Sequence, residues 1–509
     1  MIRGRVVAAD TGTPVRRAQV QAAFGGQRAR VALTDAEGRF ELRELPAGSV
    51  VLRASKTGFV AQQFGQRSPF SAADPVTLGD GQQFTADFAL LRGGVITGRV
   101  FDEFGDPVAN VRVAALRSQL TAAGPRLAAA SGGPGLTDDT GAYRLYGLAP
   151  GTYYVSATPQ AVNVNVPFVA AGGPITYAAT YFPGTTDAGA AQRVSLTAGQ
   201  DQHNIDFGLI VTPAVRISGV VLGVNGTPIQ AMVSLRGASA TDVGGAERRG
   251  AGTAADGSFT LASVPPGNYV LEVTGRARSR DVLPEVAAVP LVVAGDITGL
   301  IITTTRGATI SGTISTDDGT RLELGALRVT ASPIRGAGGT ARATVTNAAF
   351  DLTGLVGPYS LRFEQMPAGW IVKSVTADGT DITDVPLDFR GNEQISVRVV
   401  LTDRVTQVNG TVRSDASPRG AAVLVFPEDT SKWTPASRFI RAARAGDAGQ
   451  FTIGSLPGDE RYLAVAVDYL ESGEHLDADF LRRIRPLATS VPSANGQPLR
   501  LDLALQAHP

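Results

Sequence analysis

Polar and apolar residues alternate one by one along much of this chain. Val20, Ala22 and Phe24 fall to one side of a segment whose other side carries Gln19, Gln21 and Ala23, and the same alternation returns at residues 84–90 and 205–209. A two-residue period is the mark of half-buried strands. Turn residues punctuate these runs: Gly12 with Pro14, Gly105 with Pro107, Gly226 with Pro228. Glycine supplies positive φ and proline presets the next residue, so both belong at strand junctions. One segment reads differently. Leu476, Phe480, Leu481 and Ile484 are spaced as one face of a helix, and Arg482 and Arg483 near its end suit the helix dipole.

The alternation is organised into a repeat. A short strand with a central glycine opens each unit: Ile2, Gly4 and Val6; Ile96, Gly98 and Val100; Ile217, Gly219 and Val221; Ile310, Gly312 and Ile314; Val408, Gly410 and Val412. An acidic residue and a glycine then announce a hairpin, with an inward aromatic two residues on, as in Gly38 and Phe40, Gly141 and Tyr143, Gly257 and Phe259. A Leu-Pro-x-Gly corner follows, at residues 45–48, 148–151, 264–267, 366–369 and 456–458, and Tyr153, Tyr269, Trp370 and Tyr462 fall on the strand after it. The opening glycines at 4, 98, 219, 312 and 410 define domain-sized units rather than the short repeats of a solenoid. Five domains are expected, at residues 1–92, 93–212, 213–306, 307–404 and 405–509. Residues 117–135, rich in Ala, Gly and Pro, predict a mobile loop inserted into the second. The fourth lacks the acidic-Gly turn and has Asn347, Ala348 and Ala349 instead. The linkers are so short that a semi-rigid, elongated array is expected. With strands of about 8–10 residues, five units end to end would reach roughly 150–200 Å.

The run I-x-G-x-V, then G-x-P-V, then T-D-x-x-G-x-F-x-L-x-x-L-P-x-G resembles the carboxypeptidase regulatory-like domain. The resemblance is clearest at residues 2–56 and 96–157, good at 217–274, and weaker at 310–375 and 408–467. It implies an all-β chain of five tandem transthyretin-like/Ig-like β-sandwiches, a fold also grouped with carbohydrate-binding ones, plus the one short helix in the last unit. It also implies a bacterial, extracytoplasmic protein, because such modules accompany peptidases, outer-membrane receptors and surface proteins. It carries no catalytic residues.

Composition narrows the chemistry. Basic and acidic residues balance at 46 each, so no charged field invites nucleic acid. There is no cysteine, which excludes disulfides, thiolate metal sites and cysteine nucleophiles. The three histidines, His203, His475 and His508, lack metal-ligand spacing, and neither a nucleophile elbow nor a phosphate loop occurs. The expectation is a non-enzyme with no metal and no cofactor. Met1 leads straight into the first strand without a signal-peptide pattern, and no stretch reads as a membrane helix.

The acidic pairs Asp138/Asp139 and Asp317/Asp318 read as turn chemistry rather than as ligands. Candidate ligand-binding residues are loop aromatics able to stack on a sugar ring: Tyr177, Tyr181, Phe182 and Trp433. The opposing reading makes them plugs for their own sandwiches. Two function classes remain at this point. One is a non-catalytic array that binds polysaccharide or serves as a surface stalk or adhesion scaffold. The other is an accessory region that docks another envelope protein, for instance along a sheet edge.

Overall fold

The computed structural model describes residues 1–509 apart from 25–27, 72, 74–75, 122–123, 131, 133–134, 160–167, 171–172, 239–248, 277–283, 335–338, 415–417, 459, 492–497 and 509. It is an all-β chain of small tandem sandwiches with one short α-helix, Ala478–Ile484. Five principal clusters of buried side chains follow one another along the sequence, between Ile2 and Leu90, Ile96 and Leu209, Val215 and Ile302, Ala308 and Leu401, and Val408 and Leu503.

Each unit is built the same way. The opening strand pairs antiparallel with the hairpin strand and parallel with the strand that closes the unit. In the third unit Val215–Leu222 lies between Ser258–Val264 and Ile297–Thr303; in the fourth Ala308–Thr316 lies between Ala349–Leu355 and Gln394–Thr402. The remaining strands make the facing sheet, such as Gln19–Phe24 between Arg30–Leu33 and Gly48–Ser55 in the first unit. The hairpin aromatics Phe40, Tyr143, Phe259, Phe350 and Phe451 are all buried between the sheets.

The glycine of the opening strand has a physical cause. A Cβ at Gly4, Gly98, Gly219 or Gly410 would run into the backbone carbonyl of Ala86, Ile205, Leu300 or Leu501 on the closing strand. Only a residue without a side chain lets the closing strand lie that near. At Gly312 the obstacle is instead the ring of Phe350, a side chain.

Three expectations are corrected. The inserted segment, expected as a mobile loop, is regular over most of its described residues: Val111–Thr121 runs on and pairs with Gly124–Ala129 as a β-ribbon. In the fourth unit the corner is not at Met366 to Gly369. Leu355 and Gly357 occupy that place, and Tyr359, buried, follows them. The later Pro-Ala-Gly turn instead introduces an added strand, Ile371–Ala377, which pairs antiparallel with the closing strand.

The third correction concerns shape. The array is not a simple end-to-end rod, because the fifth unit returns to the first two. Ser71 and Glu471 form an isolated antiparallel bridge, and the Ser472 amide donates to the Phe70 carbonyl at 3.0 Å. Arg117, on the inserted ribbon, lays its guanidinium 3.4 Å over the Phe70 ring and pairs with Glu471 at 2.5 Å. Arg67 donates to the carbonyls of Arg419 and Asp468. A Cβ at Gly473 would enter the Leu120 carbonyl, so ribbon and fifth unit meet backbone to backbone. Short linkers explain how a bend is held. Around Arg92 and Gly93, for example, the chain is tied to the first unit by the Arg92–Asp10 pair at 2.8 Å and to the second by the Gly199 amide.

Candidate functional site

The four candidate aromatics are drawn into their own domains rather than onto one surface. Tyr181 is 6% exposed and packs with Leu116, Leu127 and Ala188. Its neighbour Phe182 turns the other way, into the core of the second unit, with its ring 6.1 Å from that of Phe207. Tyr177, half-buried on the same core, donates its hydroxyl to Glu103 at 2.7 Å. Burial first, then that carboxylate, raises its pKa. Trp433 is 6% exposed, lies edge-on to Phe426 at 5.7 Å, and donates its indole N–H to the Pro427 carbonyl at 2.8 Å. No shared stacking platform results. The four rings pack against three separate clusters in two units, Tyr181 and Trp433 buried and Tyr177 and Phe182 half-buried.

The corner tyrosines are equally committed. Tyr153, Tyr269 and Tyr462 donate to the carbonyls of Ala149, Pro265 and Pro457 at 2.6, 2.9 and 2.8 Å. Each hydroxyl pins the corner that precedes its own strand, which satisfies a buried polar group inside its own motif. Burial pushes the Tyr153 pKa up to about 12.

The acidic turns do what turn residues do. Asp138 accepts from the Thr140 hydroxyl at 2.8 Å and from the amides of Thr140 and Ala142 at 2.9 Å. Asp318 accepts from the amide and hydroxyl of Thr320. Thr140's hydroxyl first, then the Ala142 amide, hold the Asp138 pKa below the ordinary carboxylate value of 3.8, and Thr320 does the same for Asp318. Beside it, Asp317 pairs with Lys373 at 3.1 Å. Carboxylates with depressed folded-state pKa values stabilise the fold fully above about pH 4. That contribution is lost as pH falls through the folded value. The melting temperature should therefore hold down to about pH 4 and fall below it. In Asp138→Asn the acid limb of the second unit should flatten, which calorimetry across pH 2–6 would read.

Among the described residues no three His, Asp or Glu side chains converge to hold a metal. His203 meets the Thr97 hydroxyl at 2.9 Å, and burial lowers the pKa of His475. His508 is tied down by Glu474 at 2.8 Å and stacked on Tyr469 at 4.3 Å.

What the sequence did not single out are the gaps between units. The larger is a cleft of about 780 Å³ where the third and fourth units meet. Residues 286–290 of the third unit and 388–390 of the fourth line it, together with Val270 and Glu272. Glu272, its side chain 6% exposed, pairs with Arg236 at 3.1 Å. A smaller gap of about 210 Å³, between the fourth and fifth units, is lined by Lys373, Arg404, Lys432, Arg438 and Glu460. Three of its four cations have an acid nearby: Lys373 has Asp317, Lys432 has Glu460, and Arg438 has Asp384 at 3.8 Å, too far to give the buried Nε and Nη1 of Arg438 a hydrogen bond. No single residue pattern marks either gap, since each is made by two domains.

Comparison with known proteins places one of the five units. Residues 1–91 match the carboxypeptidase regulatory-like domain. The first unit is one such domain. No curated protein matches the chain. Solved structures similar to it include the Bacillus anthracis TIE protein, at 10% identity over 91% of this chain and 71% of that one, with a TM-score of 0.18. A streptococcal ancillary pilin is 14% identical over 60% of this chain and 97% of its own, with a TM-score of 0.22. The RrgB pilus protein of Streptococcus pneumoniae is 9% identical over 74% and 90%, with a TM-score of 0.16.

Proposed function

We propose that this chain is a non-catalytic, extracytoplasmic scaffold in which five copies of one regulatory-like module are joined into a closed array. The observation that carries the reading is the use made of its reactive side chains. The corner tyrosines, the turn aspartates and the loop aromatics are each engaged in holding the repeated unit together. The first unit's match to the carboxypeptidase regulatory-like domain supports an envelope setting, and the recurrence of its glycine, hairpin and corner supports extending the assignment to the other four. Such a scaffold works by presenting surfaces and interdomain gaps to another envelope component. Sugar stacking on Tyr177, Tyr181, Phe182 or Trp433 is not part of this reading, because Tyr181 and Trp433 are buried and Tyr177 and Phe182 are half-buried against the core of their own unit.

The test is where the protein sits. Antibody raised against the chain should label intact or outer-membrane-permeabilised cells of its source bacterium, and externally added protease should remove the signal. Signal found solely in the cytoplasmic fraction would overturn the proposal.

A further inference from the structure

In every unit the facing sheet ends in a short strand, except in the third. The corresponding edges are Gln62–Gln63 and Val76–Leu78 in the first unit, Thr180–Tyr181 and Val194–Leu196 in the second, Leu387–Phe389 in the fourth and Thr489–Val491 in the fifth. In the third unit the edge is Val286–Val293, eight residues long, and its Val292 is 74% exposed. Folded proteins keep edges short because a long one offers unpaired backbone groups to any extended chain.

The geometry shows which groups those are. Val286 exchanges both of its backbone hydrogen bonds with Thr305, at 2.9 and 2.8 Å, on the side away from Gly267–Gly275. Backbone groups along a strand face alternate sides. Ala288, Pro290 and Val292 therefore turn their groups to that same free side, while residues 287, 289, 291 and 293 serve the neighbouring strand. Among the described residues, no backbone hydrogen bond reaches the Ala288 and Val292 amides or the carbonyls of Ala288, Pro290 and Val292 on that side.

The interdomain cleft lies along this edge. Successive side chains point to opposite faces of a sheet, so five consecutive residues, 286–290, can line one cavity only if it wraps the strand's edge. Across the gap, Asp388 and Phe389 belong to the terminal strand of the fourth unit's sheet, Leu387–Phe389, and Arg390 follows it. Two sheet edges thus face one space of about 780 Å³, within the roughly 300–1,000 Å³ usual for ligand sites. A space of about 780 Å³ has room for one short extended segment and not for a second folded sheet. Among the described lining residues, Arg236 and Arg390 balance Glu272 and Asp388, so net charge selects nothing.

We propose that this cleft binds an extended peptide segment of a partner protein, which adds as a strand to Val286–Val293. The proposal rests on the scaffold reading and gives it a specific docking site. The segment accepts from the Ala288 amide and donates to the Ala288 and Pro290 carbonyls. Pro290 has no N–H, so the partner carbonyl facing it gains no bond, and that gap fixes the register.

The experiment selects hexapeptides from a fully randomised display library on the intact chain and measures them by fluorescence polarisation. Ala288→Pro removes one free-edge donor and leaves the bonds to Gly267–Gly275, since the Ala288 amide points away from them; Pro290 is already accommodated in this strand. Selected peptides should bind the variant about tenfold more weakly or worse. N-methylation of the peptide should abolish binding at alternate amides only, a readout on the unmodified chain that stands even if the variant misfolds. No selected peptide, equal binding to both chains, or insensitivity to N-methylation would overturn the proposal. So would a concentration-dependent dimer lost in Ala288→Pro, which makes a second copy the occupant. These outcomes are separate from cell-surface labelling, so the docking site can fail while the scaffold reading stands.

Discussion

Gly98→Ala should strongly destabilise the second unit while leaving its neighbours largely intact. The added Cβ meets the backbone carbonyl of Ile205, which cannot rotate away as a side chain would. Overpacking usually costs about 1–3 kcal/mol and more where backbone must move. A shift of at least about 3 kcal/mol is expected, which for a unit of this size lowers its melting temperature by roughly 12 °C or more. Gly219→Ala and Gly410→Ala should behave alike, each in its own unit, because Leu300 and Leu501 present carbonyls in the same way. Gly312→Ala is the control. There the obstacle is the Phe350 ring, and a ring can shift, so the loss should be nearer 1 kcal/mol. Calorimetry resolves the units as separate transitions, since a multidomain chain has no single unfolding free energy. Equal losses at Gly98 and Gly312 would show that the closing carbonyl is not the constraint.

Arg117→Glu should open the array. Arg117 stacks on Phe70 of the first unit and pairs with Glu471 of the fifth, so one side chain joins three units. Its side chain is 18% exposed, so the stacking is largely shielded from water. A desolvated cation–π contact is worth about 2 kcal/mol. The substitution removes it and sets two carboxylates against each other. Contacts between domains are small, so a loss of this size moves the closed population by tenfold or more. The sedimentation coefficient should fall, while every unit keeps its melting temperature because the contact lies outside all five cores. Glu471→Gln, which keeps the hydrogen-bonding shape, should open the array less. An unchanged sedimentation coefficient in Arg117→Glu would mean the bridge is not what holds the fifth unit.

Much of the fold was legible because its causes are local. The opening glycines, the buried hairpin aromatics and the helix each follow from a neighbour a few residues away or a partner strand within the same unit. The helix is a clear case: Asp477 caps it by accepting from the Asp479 amide at 2.9 Å, and Phe480, Leu481 and Ile484 fill the inner face that their spacing implied. The fourth unit's corner was misread because residues 366–369 imitate the motif while Leu355, Gly357 and Tyr359 perform it with a different spelling. The inserted ribbon was missed because its Ala- and Gly-rich sequence carries no alternation, its pairing being set by backbone bonds.

The site was less legible for a different reason. Sequence shows that Tyr181 and Phe182 are large and adjacent, but the exposure of each depends on what packs over the strand's end, and both find partners. Closure was unreadable altogether, since Arg67 and Asp468 lie 401 positions apart. The cleft escaped for the same cause. The length of the edge strand Val286–Val293 was the one available signal, and it has meaning only when set against the short edges of the other four units.

Small-angle X-ray scattering on the unmodified chain in dilute solution tests the closed array most directly. With the fifth unit returned to the first and second, the maximum dimension should fall well short of the roughly 150–200 Å of five sandwiches end to end. It should then lengthen in Arg117→Glu. A rod-like distance distribution reaching that length in the unmodified chain would contradict the account.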